Sequence, residues 1–236
     1  MRKLTDIVRR PSIRNPFKRD QLEVVDYEIH APGHAALAVI SAIYSELDFP
    51  RSIKPSNLVH VSGATSERVI FTGIWRSERD AREAFEEIKG AVASLTDTFG
   101  PEASVERISR RASRVEIGDL VSDYEAALAQ FNPDCVAFTV DIPVDGKAIY
   151  DNYCEEMRFP EIMPEGLMLH LAYEVGPTMR TISVWRTLED SQNFMRERIV
   201  PAGPGVVRDH GVFPEVRPVE FKPTLLAFNR PERNIT

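Results

Sequence analysis

Most of the short motifs that announce a chemistry are missing from this chain. No GxGxxG or GxxxxGK[ST] loop occurs in its 236 residues, which excludes the usual dinucleotide and phosphate cradles. No nucleophile elbow presents a serine. Cysteine is scarce, and Cys135 and Cys154 stand without metal-ligand spacing; they read as buried thiols of a reducing cytoplasm. No run of about 20 apolar residues exists to cross a membrane as a helix. No apolar segment follows the basic start, so a secretory signal is not expected. Positive charge is also short: the formal net charge is −7, where a nucleic-acid-binding body would carry a basic stripe. The exception is residues 1–20, which hold seven Lys and Arg against two Asp, a local +5 that leaves −12 for the rest. This arm reads as a solvated extension or as an electrostatic tether to an acidic partner or membrane surface, and Pro11 and Pro16 prevent a continuous amphipathic helix in it.

What the chain does contain is a repeat. NLVHVSGATSERVIFTGIWR at residues 57–76 and LMLHLAYEVGPTMRTISVWR at residues 167–186 align without a gap. His60 then falls on His170, Trp75 on Trp185 and Arg76 on Arg186, with Phe49-Pro50 against Phe159-Pro160 and Asp80 against Asp190. A period of about 110 residues is far beyond the 20–50 of a solenoid and implies duplication of a domain.

Each half reads as strand, helix, strand, strand, helix, strand. Val24–Ala31 alternates Val25, Tyr27 and Ile29 with polar residues, and Pro32-Gly33 ends it. His34–Leu47 places Leu37, Ile40, Ser41 and Tyr44 on one helical face. Leu58–Ser62 and Val69–Trp75 form a hairpin, and Ser77–Asp80 opens a helix as a capping box. Val105–Ile117 is the last, interrupted strand. The second half repeats this with strands at Val136–Ile142, Leu167–Ala172 and Met179–Trp185, and a helix at Lys147–Met157. A second helix starts at Thr187 and is expected to stop at Pro201, Gly203, Pro204 and Gly205, ahead of a closing strand within Val216–Phe228. The expected organisation is a basic extension (1–22), a unit at 23–117, a connecting helix or linker at 118–134 centred on Asp119–Phe131, a unit at 135–230 and a tail at 231–236. The fold class is α+β: two tandem ferredoxin-like βαββαβ units. An apolar sheet face needs a cover, and the two units supply it by closing a barrel-like enclosure, an intrachain pseudo-dimer. A further homodimer of the whole chain stays open.

The run Met163–His170 leading into the second hairpin, and Ser183-Val184-Trp185-Arg186-Thr187 leading out of it, resemble the antibiotic-biosynthesis-monooxygenase-like proteins of the dimeric α+β barrel superfamily. That resemblance covers roughly residues 24–230. It implies a pseudo-dimeric α+β barrel and the superfamily's range of activities: cofactor-independent quinone-forming monooxygenases, haem-degrading and haem-dependent enzymes, and muconolactone isomerases. Monooxygenase and haem-degrading members pair an Asn in the first strand with a Trp. Here Glu28, His30, Thr139 and Asp141 stand in the first strands instead.

Strand alternation sorts the hairpin residues into two faces. Leu169, Leu171, Ile182 and Val184 share one, as do Val59, Val61, Ile70 and Ile74, and this aliphatic face is expected to meet the helices. Met168, His170, Thr181, Ser183 and Trp185, with Leu58, His60, Ser62, Phe71, Gly73 and Trp75, are then expected to line the enclosure. Apolar walls with a few polar groups suit a small aromatic or planar ligand. The catalytic candidates are His170, His60 and Asp141; the ligand-binding candidates are Trp185, Trp75, Tyr173, Ser183, Glu28 and His30. The two histidines read as hydrogen-bonded sheet residues, as a general acid–base, or as haem or metal ligands. No Cys-x-x-Cys cluster supports zinc, although Glu28, His30 and His60 could converge. The tryptophans read as core fillers or as walls that stack on a ligand. Three functions stay open: a cofactor-independent oxygenase of aromatic or polyketide-like substrates, a haem protein, and a non-catalytic binding or structural protein. The half with His170, Tyr173 and Asp141 keeps the resemblance better and is where a site is expected first.

Overall fold

The computed structural model describes residues 22–30, 36–49, 54, 56–65, 68–99, 105–117, 134–143, 145–211 and 216–228. The first half runs β1 (Glu23–His30), α1 (Ala36–Glu46), β2 (Asn57–Ala64), β3 (Arg68–Trp75), α2 (Glu78–Phe99) and β4 (Val105–Ile117). The second runs β5 (Val136–Ile142), α3 (Gly146–Glu156), β6 (Leu167–Val175), β7 (Thr178–Trp185), α4 (Leu188–Phe194), a wide turn of π type (Met195–Ile199), α5 (Val200–His210) and β8 (Val219–Phe228). The split βαββαβ order is therefore present in each half. The basic arm, the Asp119–Phe131 segment and the tail lie outside the described residues.

All eight strands close into one antiparallel barrel in the order β1-β3-β2-β8-β5-β7-β6-β4. The last strand of each half joins the two sheets by changing partner midway. Residues 105–111 of β4 pair with β1, and the strand then pairs with β6 from Ala112 onward. Likewise β8 pairs with β5 over Val219–Phe221 and with β2 over Lys222–Phe228. β4 is continuous over its 13 residues, with a bulge between Ala112 and Arg114 where an interruption was expected. Register shifts sit at Asn57/Val59 in the first hairpin and at Leu167/Leu169 in the second, 110 positions apart.

Local chemistry sets the helix starts. Ser77 Oγ accepts the Asp80 N–H at 3.3 Å and Thr187 Oγ1 accepts the Asp190 N–H at 3.1 Å, each occupying a donor that the first turn leaves free. Of the stripe expected on α1, Ile40 is buried together with Val39 and Ile43, Tyr44 packs half-buried against the same cluster, and Ser41 is exposed. The final helix does not stop at its prolines. The π-type turn re-phases it so that Pro201 falls in the first turn of α5, where no intrahelical N–H is required. Pro204 removes one bond further on, and the carbonyl it would have used belongs to Val200, which is 63% exposed. Gly205 lets α5 close on α3: a Cβ there would stand 2.3 Å from Glu156 Oε1. Among the described residues no helix is long and apolar enough to cross a membrane.

Three apolar clusters result. The barrel interior holds Val24, Val59, Val61, Ile70, Ile74, Leu169, Leu171, Tyr173, Ile182, Val184 and Phe221. One sheet–helix layer in each half encloses the others, with Trp75 in the first and Trp185 in the second. The expected partition of the hairpins into two faces holds, but its direction is reversed. The aliphatic face fills the barrel, and the face carrying His60, His170, Ser183 and both tryptophans looks outward to the helices. Only Leu58 and Met168, at the register shifts, pack against the barrel cluster as expected. A barrel interior is enclosed on every side, so it selects branched aliphatics. The helix side is closed only by the helices laid over it and tolerates rings, hydroxyls and open space.

Polar groups do enter the barrel at one end. Arg180 donates to Asp141 at 2.7 Å and to Glu28 at 3.2 Å, and its guanidinium is 3.7 Å from Asp26. Arg68 meets Glu28 at 2.9 Å, and the Tyr173 hydroxyl donates to Asp26. Burial raises the Asp26 carboxyl from 3.8 to about 6, against the Tyr173 hydrogen bond and the Arg180 charge. The folded state thus holds the proton more tightly than the unfolded chain. Stability is lost as pH rises from 3.8 through 6, by about 3 kcal/mol. Asp26→Asn removes this loss while leaving an oxygen to accept from Tyr173. Denaturant melts at pH 4 and pH 7 should show the variant gaining on wild type by about that amount at the higher pH.

Candidate active site

Between the outward face of the β5-β7-β6 sheet and the helices α3, α4 and α5 lies a cavity of about 810 Å³. Its walls are mostly apolar: Phe138, Val140, Met157, Phe159, Leu167, Trp185, Phe194 and Ile199 all face it. The exposed Leu188, Met195 and Val200 also line it, on α4, the π-type turn and the start of α5. π-type turns occur often at functional sites because they push side chains out of helical phase.

One hydrogen-bonded chain crosses the polar part of this wall. Tyr150 Oη lies 2.9 Å from His170 Nε2, and Ser183 Oγ lies 2.9 Å from His170 Nδ1. Register explains the second contact, because His170 and Ser183 are direct partners across β6 and β7. The phenol ring of Tyr150 runs nearly parallel to the imidazole, at 5° and 5.9 Å, and Phe159 meets it edge-on at 5.1 Å. Both hydroxyls can donate or accept, so either imidazole tautomer is satisfied and a proton taken at one nitrogen can leave through the other. Tyr153 lines the cavity one helical turn from Met157, burial raises its phenol, and it makes no hydrogen bond to another described residue.

The corresponding space in the first half is full. Phe71 stands where Thr181 stands in the second, and with Phe49 and Tyr44 it packs around His60; the ring centroids of Phe49 and Phe71 are 4.7 and 6.0 Å from the imidazole. Tyr44 bonds Ser62 rather than the histidine. His60 is left with an unpartnered Nε2 at 5% exposure, and burial lowers its imidazole to about 3. A second difference enlarges the contrast. A Cβ at Gly73 would stand 2.5 Å from Trp75 Nε1, so that indole lies back over its own strand. Ser183 carries the Cβ that Gly73 lacks, and Trp185 instead packs on Phe194 at 5.2 Å. Thr181 and Ser183 thus leave open the floor that Phe71 and Trp75 cover.

The sequence candidates separate accordingly. His170, Ser183 and Trp185 come together at the cavity. His60 and Trp75 occupy the matching but solid layer of the first half. Tyr173, Glu28 and Asp141 belong to the barrel side of the sheet, the opposite face from His170, so they do not share its site. Glu28 and His60 lie on opposite faces of their sheet and do not converge. His30 is the last residue of β1, and its side chain is outside what the structure describes. The residue missed is Tyr150. Its signal was the spacing Tyr150, Cys154, Met157 on α3, which places all three on the cavity side. Among the described residues no three His, Cys, Asp or Glu groups gather to hold a metal ion.

No family model matches the chain, and no curated protein matches it. Solved structures do. A candidate monooxygenase of Fusobacterium nucleatum superposes with a TM-score of 0.66 at 9% identity, over 88% of this chain and 94% of its own. A candidate monooxygenase of Lactobacillus acidophilus gives 0.63 at 10%, over 89% and 97%. An anthrone oxidase-like protein gives 0.57 at 14%, over 92% and 97%. At these identities the likeness is one of fold: the chain shares the α+β barrel fold of these proteins.

Proposed function

We propose that this chain is a cofactor-independent monooxygenase that converts a planar phenol to a quinone in the second-half cavity. The observation that carries the reading is His170, held between Tyr150 and Ser183 on the wall of an otherwise apolar space. Apolar walls suit a fused aromatic ring system and exclude water from it. The phenolic proton passes to His170 through the Tyr150 or Ser183 hydroxyl that it already contacts, and the phenolate then has the electron density to react with dioxygen directly. Oxygen adds at the ring carbon para to the phenolate. The resulting peroxide anion takes up a proton to become a hydroperoxide, which loses water together with the hydrogen of that carbon. The sum is phenol plus O₂ giving para-quinone plus H₂O. The fold likeness to candidate monooxygenases and to an anthrone oxidase-like protein agrees with this chemistry.

Haem chemistry, another activity that the family resemblance implies, fits these residues less well. Among the described residues His170 is the one histidine on the cavity wall, and an iron there would have to displace Tyr150 or Ser183 from its nitrogens.

Oxygen uptake with anthrones or simple naphthols tests the reading: substrate-dependent consumption should accompany a quinone absorbance in a 1:1 ratio. The control is Thr181→Phe, which puts in the second half the side chain that fills the first. It should keep the melting temperature and weaken anthrone binding by about tenfold or more. No uptake together with no ligand-induced change in Trp185 fluorescence overturns the proposal.

A further inference from the structure

The cavity has a second polar end. Four residues on its side of the sheet lie in one row across four strands: His170 on β6 pairs with Ser183 on β7, Ser183 with Phe138 on β5, and Phe138 with Glu220 on β8. All four line the cavity. Three strand spacings separate the first from the last, about 14 Å. Phe138 supplies an apolar floor between them. Glu220 is exposed toward solvent and makes no hydrogen bond or ion pair to another described residue. It stands on the part of β8 that pairs with β5; the matching row of the first half runs His60, Gly73, Val25 and Ser109, so no carboxylate takes that position there.

We propose that Glu220 is the specificity-determining residue of this site, accepting a hydrogen bond from a donor at the far end of a planar substrate whose near end meets His170. The inference rests on the reading of the cavity as a substrate site. Its chemical content is a length and a polarity: a fused three-ring molecule with a hydroxyl at the His170 end and a hydroxyl or amine at the opposite end fits the span with a hydrogen bond at each. A carboxylate only accepts, so a ligand with an acceptor or an acid at that end is disfavoured. Glu220 is a positioning group, and it takes no part in moving the proton.

Equilibrium binding separates this from the catalytic proposal. Three probes of one shape are titrated against Trp185 fluorescence: 2-hydroxyanthraquinone, 2,6-dihydroxyanthraquinone and 2-amino-6-hydroxyanthraquinone. Wild type should bind the two far-end donors about tenfold more tightly than the monohydroxy compound. Glu220→Leu should erase that preference, with the monohydroxy affinity held within about twofold and an unchanged melting temperature confirming the fold. Glu220→Gln keeps an acceptor oxygen at that end, and a phenol and an anthraquinone amine are both neutral donors, so both preferences should persist in it; their loss there would overturn the hydrogen-bond reading. Equal affinities for all three probes in wild type, or a preference that persists in Glu220→Leu, overturn the inference. Because the readout is binding, absence of turnover leaves it standing, and turnover without the preference removes it alone.

Discussion

Replacing His170 with Gln should lower the rate of quinone formation by a factor of about 10²–10⁴ while substrate affinity changes only a few-fold. Gln keeps a polar group between Tyr150 and Ser183, so the wall stays hydrogen-bonded and the cavity keeps its shape. It cannot take the phenolic proton. The loss therefore belongs to kcat, and the acid limb of the pH–rate profile should vanish with it. Tyr150→Phe leaves the base in place and removes one route for the proton, so it should slow turnover less and shift that limb rather than abolish it. Steady-state oxygen uptake from pH 5 to 9 on the three proteins reads both effects. A His170→Gln rate near that of wild type would place the base elsewhere, with the Tyr153 phenol the next group on the wall.

The other histidine should have its effect on stability. Burial holds the His60 imidazole at about 3 in the folded protein, against about 6.5 in an unfolded chain. The unfolded state binds the extra proton between those values, so stability is complete above pH 6.5 and falls as the pH drops toward 3. The full loss is about 5 kcal/mol. His60→Phe suits the surrounding rings of Tyr44, Phe49 and Phe71 and carries no proton. Any cost of fitting a larger ring is the same at every pH. The stability difference between variant and wild type should therefore grow by about 5 kcal/mol from pH 7 to pH 3. Asp26 titrates in both proteins and cancels in the difference. A flat difference, read from urea melts at three pH values, would mean that the imidazole meets water.

The alternation of His170 with Leu169 and Leu171 was legible because a strand has period two and each buried face selects its own chemistry. Which face meets which layer was not legible, since both are buried and a helix-covered sheet ordinarily puts its aliphatics under the helices. Barrel closure reverses that preference, and closure depends on β4 and β8 changing partner, which no local pattern encodes. The passage of the last helix through Pro204 was hidden for a related reason. A π-type turn at Met195–Ile199 shifts the phase of α5 relative to α4, and helical periodicity read through it fails. Of the candidate site, the His170–Ser183–Trp185 grouping could be read from the hairpin alone. Tyr150 reaches that grouping only through tertiary packing of α3.

The mid-strand exchange of partners by β4 and β8 has a consequence for how the protein is made. The edge of β2 is covered by Lys222–Phe228, among the last strand residues to be synthesised. Until they arrive, the first half carries an unpaired strand with hydrogen-bonding groups and apolar side chains open to other chains. The barrel therefore closes only once β8 has been made, because each half's sheet pairs with the other's at both edges. A chain cut between Ile117 and Val136 would release two fragments, each with two open sheet edges that pair with the other fragment's in the intact barrel.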